Sequence, residues 1–354
     1  MSAFIIAEAG VNHDGKLDQA IALVDAAVEA RADAVKFQTF KAEALASASA
    51  PRAKYQDRNT GDNLGQLEML RRLELDDHAH QTLQRHCERR GIAFMSSPFD
   101  LGSLTYLVNV LELDTIKLGS GELTNAPLLR AVGRSGRRLI LSTGMSDLDE
   151  IGEALAVLSI AYENDTLPTA AARQQARERG FDSLRDRVTL LHCTTEYPAP
   201  YAETNLRAMD TLRQAFHLPV GFSDHTDGIA VATAAVALGA CVVEKHITLD
   251  RNLPGPDHKA SLEPGHFAAL VSAVRQVEMA LGNGVKQVAP SERANMAVAR
   301  KSMVTLTSIP KGEALTLDNV GVMRPGTGAS PMTFWDRLGQ RADRDYAAGE
   351  VLSP

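Results

Sequence analysis

Residues 220–248 read VGFSDHTDGIAVATAAVALGACVVEKHIT, and this stretch contains the pattern that decides the fold. An apolar run ends in Ser-Asp-His-Thr, an alanine-rich segment with helical spacing follows, and a second apolar run ends in Glu-Lys-His-Ile-Thr. Two short apolar runs joined by one helical segment predict two parallel strands with a crossover helix. The polar residues at the end of each run predict functional groups at the carboxyl ends of the strands.

The same pattern occurs throughout the first 250 or so residues. Segments with helical spacing, such as 17–32 and 147–161, separate the apolar runs. Eight strand–helix repeats predict an α/β fold, the closed (β/α)₈ TIM barrel. A doubly wound open sheet is the alternative, but no G-x-G-x-x-G motif follows the first strand. The predicted strands are residues 4–10, 34–40, 93–99, 115–122, 139–145, 188–195, 220–226 and 242–248.

Two segments are additions to a barrel of eight strands and eight helices, and the alternation of strands and helices stops after residue 285. Residues 47–68 predict a long loop after the second strand, and residues 162–187 predict a helical or flexible insertion before the sixth. Alternating runs separated by Pro-Lys-Gly and Arg-Pro-Gly turns then predict a small β-rich domain. We therefore predict a barrel at 1–285, a linker at 286–294 and a C-terminal domain at 295–354.

Composition excludes several classes of protein. The chain has 354 residues, 44% of them hydrophobic and 23% charged, which is enough apolar sequence for a sizeable core. Its net charge of −7 argues against broad nucleic-acid or membrane surfaces, and no apolar run is long enough to span a bilayer. Cys87, Cys193 and Cys241 form no C-x-x-C pair and do not suggest a secreted disulfide framework. We expect a cytoplasmic protein.

Two histidines, His225 and His246, end successive predicted strands. Neighbouring strand ends lie side by side in a barrel, so both imidazoles can face the same opening. Two neutral imidazoles suit a catalytic divalent metal such as Mn²⁺, Zn²⁺ or Fe²⁺. The alternative is that each histidine is a hydrogen-bonded residue near the core.

Two lysines, Lys36 and Lys117, lie on the second and fourth predicted strands. A buried lysine needs a partner, and two of them suggest an anion with more than one charged group, such as phosphate plus carboxylate. A Schiff-base aldolase with one lysine of lowered pKa is the alternative. Hydroxyls near other strand ends favour anion binding, namely those of Ser97, Ser120, Ser142, Thr195 and Ser223.

Three carboxylates, Glu8, Glu122 and Asp257, lie at the same predicted rim. They can accept hydrogen bonds from sugar hydroxyls or transfer protons. The alternative for each is a local salt bridge, for example with Lys36 or Lys117. Tyr197 either packs against a ligand or anchors its loop.

Several motifs together resemble the sialic acid synthases, including the N,N'-diacetyllegionaminate synthases. The C-terminal segment with VMRPG at 322–326 is similar to the antifreeze-like (SAF) domain of that family. The barrel motifs are AEAGVNHDG at 7–15, VKFQTF at 35–40, KLGSGE at 117–122, STGM at 142–145, HCTTEYP at 192–198, FSDHT at 222–226, EKH at 244–246 and GPDHKAS at 255–261.

The resemblance implies a transferase that condenses phosphoenolpyruvate with N-acetylmannosamine or a close analogue. The products are an N-acetylneuraminate-type nonulosonic acid and phosphate. The alternative acceptor is 2,4-diacetamido-2,4,6-trideoxymannose, which gives N,N'-diacetyllegionaminate. A non-catalytic carbohydrate-binding protein is a further alternative.

The resemblance also implies roles for individual residues. His225 and His246 would hold a divalent metal, for which we expect Mn²⁺, with Mg²⁺ or Co²⁺ as alternatives. The predicted catalytic residues are Glu122, Lys117, His225 and His246, with Glu122 as the candidate for proton transfer. Arg324 would reach the active site of the other subunit in a domain-swapped homodimer. Phosphoenolpyruvate would contact Lys36, Ser97, Lys117, Ser120, Ser142, Thr195 and Ser223. The acceptor sugar would contact Glu8, Gln38, Glu122, Tyr197, Asp257 and Arg324.

Overall fold

A computed structural model describes residues 2–53, 56–57, 65–164 and 166–354. The chain divides into two compact units, Met1–Gly282 and Asn283–Pro354. The predicted linker at 286–294 and the exact domain limits remain predictions. Within the described residues, no helix is long and apolar enough to cross a membrane.

The first unit is built on eight parallel strands that form a nearly closed barrel. Hydrogen-bonded neighbours follow the order β3-β2-β1-β8-β7-β6-β5-β4, and β3 and β4 are in contact where the ring meets. The predicted barrel is therefore confirmed. The strands are β1 (Phe4–Gly10), β2 (Ala34–Thr39), β3 (Ala93–Pro98), β4 (Thr115–Leu118), β5 (Arg138–Ser142), β6 (Val188–His192), β7 (Val220–Asp224) and β8 (Val242–His246).

One main helix follows each strand. Several begin at an aspartate or asparagine cap, and Asp147 and Glu150 form a reciprocal capping box. The described residues between β2 and its main helix include the short helices Ala42–Leu45 and Gln66–Leu73. The main helices are Leu17–Glu29, Asp77–Arg90, Leu101–Asn109, Ala126–Ser135, Leu148–Glu163, Ala208–Phe216, Ala230–Ala237 and Pro264–Leu281.

The structure describes the predicted insertion fully enough to compare with its prediction, but the predicted long loop only in part. In the insertion at 162–187, helix Ala170–Arg179 lies against helix Leu148–Glu163. Ala176 is fully buried in the same apolar cluster as Ile151 and Leu155, and Arg173 and Arg177 form ion pairs with Glu153. This insertion is largely helical. Of the predicted loop at 47–68, residues 54–55 and 58–64 lie outside the described residues, and the helix Gln66–Leu73 begins within its last part.

Side-chain alternation along β7 and β8 positions the two histidines. Asp224 and Lys245 face away from the barrel interior and form a fully buried ion pair, with Nζ 2.8 Å from Oδ2. Asp224 also accepts hydrogen bonds from the backbone and hydroxyl of Thr226. This pair joins the ends of the two strands, so that His225 and His246 are held on the opposite face.

The second unit has its own small core, which includes Met303, Ile309, Leu315 and Val320. Strands β9 (Ser302–Thr305) and β10 (Val320–Met323) pair antiparallel. Two short helices, Arg293–Ala299 and Phe334–Arg337, lie on either side of them in the chain.

Candidate active site

The carboxyl ends of the barrel strands surround a cavity of about 490 Å³. Arg324 belongs to the second unit, where it is exposed and its Nε donates to the carbonyl of Ala299 at 3.2 Å. The cavity is a feature of the first unit. Every other predicted site residue lines it, namely Glu8, Lys36, Gln38, Ser97, Lys117, Ser120, Glu122, Ser142, Thr195, Tyr197, Ser223, His225, His246 and Asp257.

Glu244, a residue with no role assigned from sequence, lies at the centre of the cavity floor. Its carboxylate is 3.4 Å from Lys117 Nζ and 3.6 Å from Lys36 Nζ, and it accepts a hydrogen bond from Ser223 Oγ at 2.8 Å. Glu8 Oε2 lies 2.5 Å from Lys36 Nζ. Each lysine therefore has the Glu244 carboxylate as a partner, and Lys36 also contacts Glu8, to which the salt-bridge alternative applies.

Strand alternation is the signal that would have identified Glu244. Glu244 precedes His246 by two residues on β8, and side chains two apart on a strand face the same side. The same spacing relates Ser223 and His225 across the end of β7. A strand whose inward positions carry a carboxylate and an imidazole predicts that both belong to the site.

The two lysines have different electrostatic environments. Burial by itself would lower the pKa of Lys36, but the carboxylates of Glu244 and Glu8 outweigh it and raise that pKa. For Lys117, burial outweighs the attraction of Glu244 and lowers the pKa. Burial would raise the pKa of Glu244, yet Lys117 and Lys36 lower it to about 2. Lys36 and Glu244 are thus firmly charged.

A small donor cluster lies beside the lysines. The backbone N–H of Gly144 donates to Ser120 Oγ at 3.0 Å, and Cys193 Sγ lies 3.1 Å from the same hydroxyl. Thr195 Oγ1 is buried and has no hydrogen-bond partner in the part of the chain that is described. A Cβ on Gly144 would lie only 2.4 Å from Thr195 Oγ1. A glycine is required for this close approach, and the cluster presents hydroxyls suited to a phosphate.

The two histidines form one side of the cavity, with ring centroids 5.5 Å apart. His225 Nδ1 donates to the carbonyl of Thr194 at 2.7 Å, so Nε2 carries the lone pair of the neutral ring and lies 3.4 Å from Ser223 Oγ. His246 Nδ1 is buried without a hydrogen-bond partner among the described residues and lies 3.9 Å from Asp257 Oδ2. Burial lowers the pKa of His225 to about 4 and that of His246 well below its ordinary value. Both imidazoles are neutral at pH 7.

The rim carries carboxyl groups that are easier to protonate than usual. Burial raises the pKa of Glu8 to about 7 and that of Asp257 to about 6. Burial also raises the pKa of Glu122, while the amide of Asn125, which donates to it at 2.7 Å, opposes this effect. Carboxyl groups of this kind alongside the firmly ionised Glu244 suit a site that moves protons near neutral pH.

Tyr197 packs against the histidines. Its ring centroid lies 4.2 Å from that of His225 and 5.5 Å from that of His246. The ring therefore restricts the orientation of both imidazoles and lines the cavity at the same time.

Comparison with known proteins gives the family. A family model described as NeuB family matches residues 23–286, and an SAF domain model matches residues 300–354. The chain belongs to the NeuB family. This assignment confirms the resemblance to sialic acid synthases and the SAF character of the C-terminal domain.

Relatives of this NeuB-family chain are similar over nearly their whole length. N,N'-diacetyllegionaminic acid synthase of Campylobacter jejuni is 47% identical, with 98% of both chains covered. The protein of the same name from Legionella pneumophila is 43% identical, with 99% of this chain and 94% of the relative covered. The crystal structure of N-acetylneuraminic acid synthetase from Leptospira borgpetersenii in complex with citrate is 30% identical, with a TM-score of 0.68 and 84% and 90% coverage. The NeuB-family chain is therefore an enzyme and not a non-catalytic binding module.

Proposed function

We propose that this enzyme is a transferase that condenses phosphoenolpyruvate with an open-chain N-acetylated mannosamine-type sugar, giving a nonulosonic acid and phosphate. The observation that carries this proposal is the pair of buried lysines, Lys36 and Lys117, held beside a hydroxyl cluster in one cavity. Phosphoenolpyruvate carries both a phosphate and a carboxylate, and two cations with several hydroxyl donors match that chemistry. The names of the two synthases and the synthetase support the same reaction class.

The reaction needs one carbon–carbon bond and one carbon–oxygen cleavage. C3 of phosphoenolpyruvate attacks the aldehyde carbon of the sugar, and the aldehyde oxygen takes up a proton. Water adds to C2 and gives up a proton. The bond between C2 and the phosphate oxygen then breaks while the C2 hydroxyl gives its proton to the departing phosphate, which releases phosphate and leaves the keto group. Lys36 and Lys117 offset the negative charge of the substrate throughout, in a site whose donors are already oriented.

Glu122 is proposed to transfer the proton to the aldehyde oxygen or from the attacking water. It lines the cavity, and burial raises its pKa towards the range in which a carboxyl group can both give and accept protons. The variant Glu122→Gln keeps the shape of the side chain and removes this ability. We expect turnover to fall by about 10²–10⁴-fold. Near-normal turnover in this variant would exclude the role.

His225 and His246 are proposed to hold a divalent metal, with Mn²⁺ first and Mg²⁺ or Co²⁺ as alternatives. The residues fit such an ion, because both imidazoles are neutral and the buried Nδ1 of His246 has no hydrogen-bond partner among the described residues. The described residues contain no cluster of three or more His, Cys, Asp or Glu side chains arranged for a metal, so the protein would supply two imidazoles and leave other positions open. When bound, the ion would polarise the sugar aldehyde as a Lewis acid. Loss of phosphate release in EDTA and recovery with Mn²⁺ tests this proposal.

A domain-swapped homodimer in which Arg324 contributes to the acceptor site of the other subunit is also proposed. Arg324 is an exposed cation in the second unit, which supports a role outside its own domain core. Arg324→Ala mixed with Glu122→Gln should regain part of the activity in heterodimers, because one of the two sites is then intact. Absence of any recovery after confirmed subunit exchange would contradict this arrangement.

One alternative acceptor and one alternative reaction type are distinguished from this proposal by experiment. The C. jejuni and L. pneumophila relatives favour 2,4-diacetamido-2,4,6-trideoxymannose as acceptor. The lowered pKa of Lys117 would also suit a Schiff-base aldolase. Phosphate release from phosphoenolpyruvate with a panel of 2-acetamido and 2,4-diacetamido sugars, with and without Mn²⁺, supports the synthase. Borohydride trapping of pyruvate on Lys117 would instead support the aldolase.

A further inference from the structure

A further histidine, His258, follows the cavity residue Asp257 in the segment after β8. Asp257 lines the cavity, and its Oδ2 lies 3.9 Å from His246 Nδ1. His258 is fully buried, and among the described residues the cavity lining includes Asp257 but not His258. The His258 imidazole can therefore act on the site through Asp257 and not by direct contact with a substrate.

Both ring nitrogens of His258 are held by side chains of other segments. Nε2 donates to Asp14 Oδ1 at 3.2 Å, and Nδ1 lies 2.7 Å from Thr248 Oγ1. Asp14 belongs to the loop after β1 and Thr248 follows β8, so the ring joins two loops that follow paired strands. A Cβ on Gly255 would lie 2.7 Å from His258 Cδ2 and 2.9 Å from Asp14 Oδ1. Because the backbone packs this closely against the His258–Asp14 pair, the ring has little space to move.

A second contact ties the same segment to the loop after β1. Asn12 is fully buried, and its Nδ2 donates to the carbonyl of Ile247 at 2.9 Å and to Ser261 Oγ at 2.8 Å. Ser261 Oγ in turn donates to the carbonyl of Asp257 at 2.7 Å. The backbone of Asp257 is thus held through Asn12, and the residue that follows it is held through Asp14.

We propose that His258, anchored by Asp14, is a positioning residue that holds the Asp257 carboxyl in place for the acceptor sugar. This inference rests on the proposed condensation, in which Asp257 is expected to contact the acceptor. A group that binds a substrate has to keep its place within about 0.5 Å, and a displacement of about 1 Å can cost about 100-fold in rate. Loss of the His258–Asp14 contact would release one end of the segment, while the contacts of Asn12 keep the rest attached.

The test measures phosphate release by the full chain with phosphoenolpyruvate, Mn²⁺ and either N-acetylmannosamine or 2,4-diacetamido-2,4,6-trideoxymannose. His258→Asn and Asp14→Ala each remove the same contact by shortening one of its partners. We expect either variant to lower kcat/KM for the acceptor by about 10–100-fold and to leave KM for phosphoenolpyruvate within about twofold of the wild type. The Asp14 side chain is 14% exposed, so Asp14→Ala tests the same contact without truncating a fully buried side chain.

A double-mutant cycle with Asp257→Ala separates positioning from a general structural effect. If His258 acts through Asp257, His258→Asn should have no further effect on kcat/KM for the acceptor in the Asp257→Ala background. A general structural effect would instead multiply with that of Asp257→Ala. His86→Asn is the matched control, because His86 Nε2 lies 2.8 Å from Asp25 Oδ1 between two outer helices of the barrel. It should leave both KM values unchanged.

The outcomes separate this inference from the proposed function. The inference is overturned, and the condensation left intact, by unchanged acceptor kcat/KM in His258→Asn and Asp14→Ala, or by an equal rise in KM for phosphoenolpyruvate. The same fold loss from His258→Asn in the Asp257→Ala background, or wild-type activity of Asp257→Ala itself, also overturns it. No phosphate release by the wild type with either acceptor overturns the proposed function and the inference together.

Discussion

The substitution Glu244→Gln tests the electrostatic design of the cavity floor. It keeps the size of the side chain and an oxygen that can accept the hydrogen bond from Ser223, but it removes the charge that lies 3.4 Å from Lys117 Nζ and 3.6 Å from Lys36 Nζ. Lys36 keeps Glu8 as a partner. The main loss therefore falls on Lys117, whose remaining hydrogen bond is to the carbonyl of Leu118 at 3.2 Å.

The expected magnitude follows from these distances. At an effective dielectric constant of about 20, each lysine–carboxylate attraction amounts to about 5 kcal/mol. The desolvation cost of the Glu244 carboxylate offsets much of this, and removing one partner of a buried pair costs about 3–5 kcal/mol in practice. We expect Glu244→Gln to lower the free energy of unfolding by that amount and to lower the pKa of Lys117 further. Phosphoenolpyruvate supplies replacement negative charge, so it should stabilise the variant more than the wild type.

Urea unfolding with and without phosphoenolpyruvate measures both effects. Far-ultraviolet circular dichroism is the appropriate signal, because the single tryptophan, Trp335, lies in the second unit and not in the barrel. Glu43→Gln is the matched control, since Glu43 forms an exposed ion pair with Arg71 and its loss should cost less than about 1 kcal/mol. A loss of less than about 1 kcal/mol for Glu244→Gln as well, with wild-type stabilisation by the ligand, would refute the reasoning.

Three further predictions use other parts of the barrel. Gly144→Ala forces its Cβ against Thr195 Oγ1, so the free energy of unfolding should fall by about 1–3 kcal/mol and KM for phosphoenolpyruvate should rise. Unfolding and phosphate-release assays measure these two effects. An unchanged KM would contradict a role of this close approach in binding phosphoenolpyruvate. Burial lowers the pKa of His13 to about 4, so the unfolded chain takes up its proton first as the pH falls from 6.5 towards 4, and stability drops by up to about 3 kcal/mol over that window. His13→Gln should remove this part of the pH dependence in urea unfolding, and an unaltered slope would argue against it. Burial raises the pKa of Cys87 to about 12 and also raises that of Cys241, but Cys241 is half-buried whereas Cys87 and Cys193 are buried. A thiol reagent at mildly alkaline pH should therefore label Cys241 first, as peptide mass spectrometry of the folded protein would detect, and equal labelling would count against this order.

The local pattern of the chain was enough to predict the barrel and most of the cavity. Apolar runs of strand length alternate with helical segments, and in a parallel barrel all carboxyl strand ends meet on one face. Strand residues that face the cavity, such as Lys36, Lys117 and His246, therefore had to converge whatever their detailed contacts. The resemblance to a known family added expected roles to positions that this geometry had already brought together.

The pairing of charges could not be predicted in the same way. Glu244, Lys36 and Lys117 come from three different strands, and the distances between their side chains depend on strand stagger and side-chain rotamers. No local pattern indicates that the pKa of one lysine is raised and that of the other lowered. The contact of Tyr197 with His225 likewise depends on how the loop after β6 folds over the neighbouring strand.

The sequence by itself thus determined the barrel architecture and the types of functional group in the site, because strand and helix periodicity are local properties of the chain. Only the tertiary structure decided which carboxylate neutralises which lysine, and which buried groups are left without a partner. Those properties arise from burial and from Coulomb interactions over a few ångströms between residues far apart in the sequence.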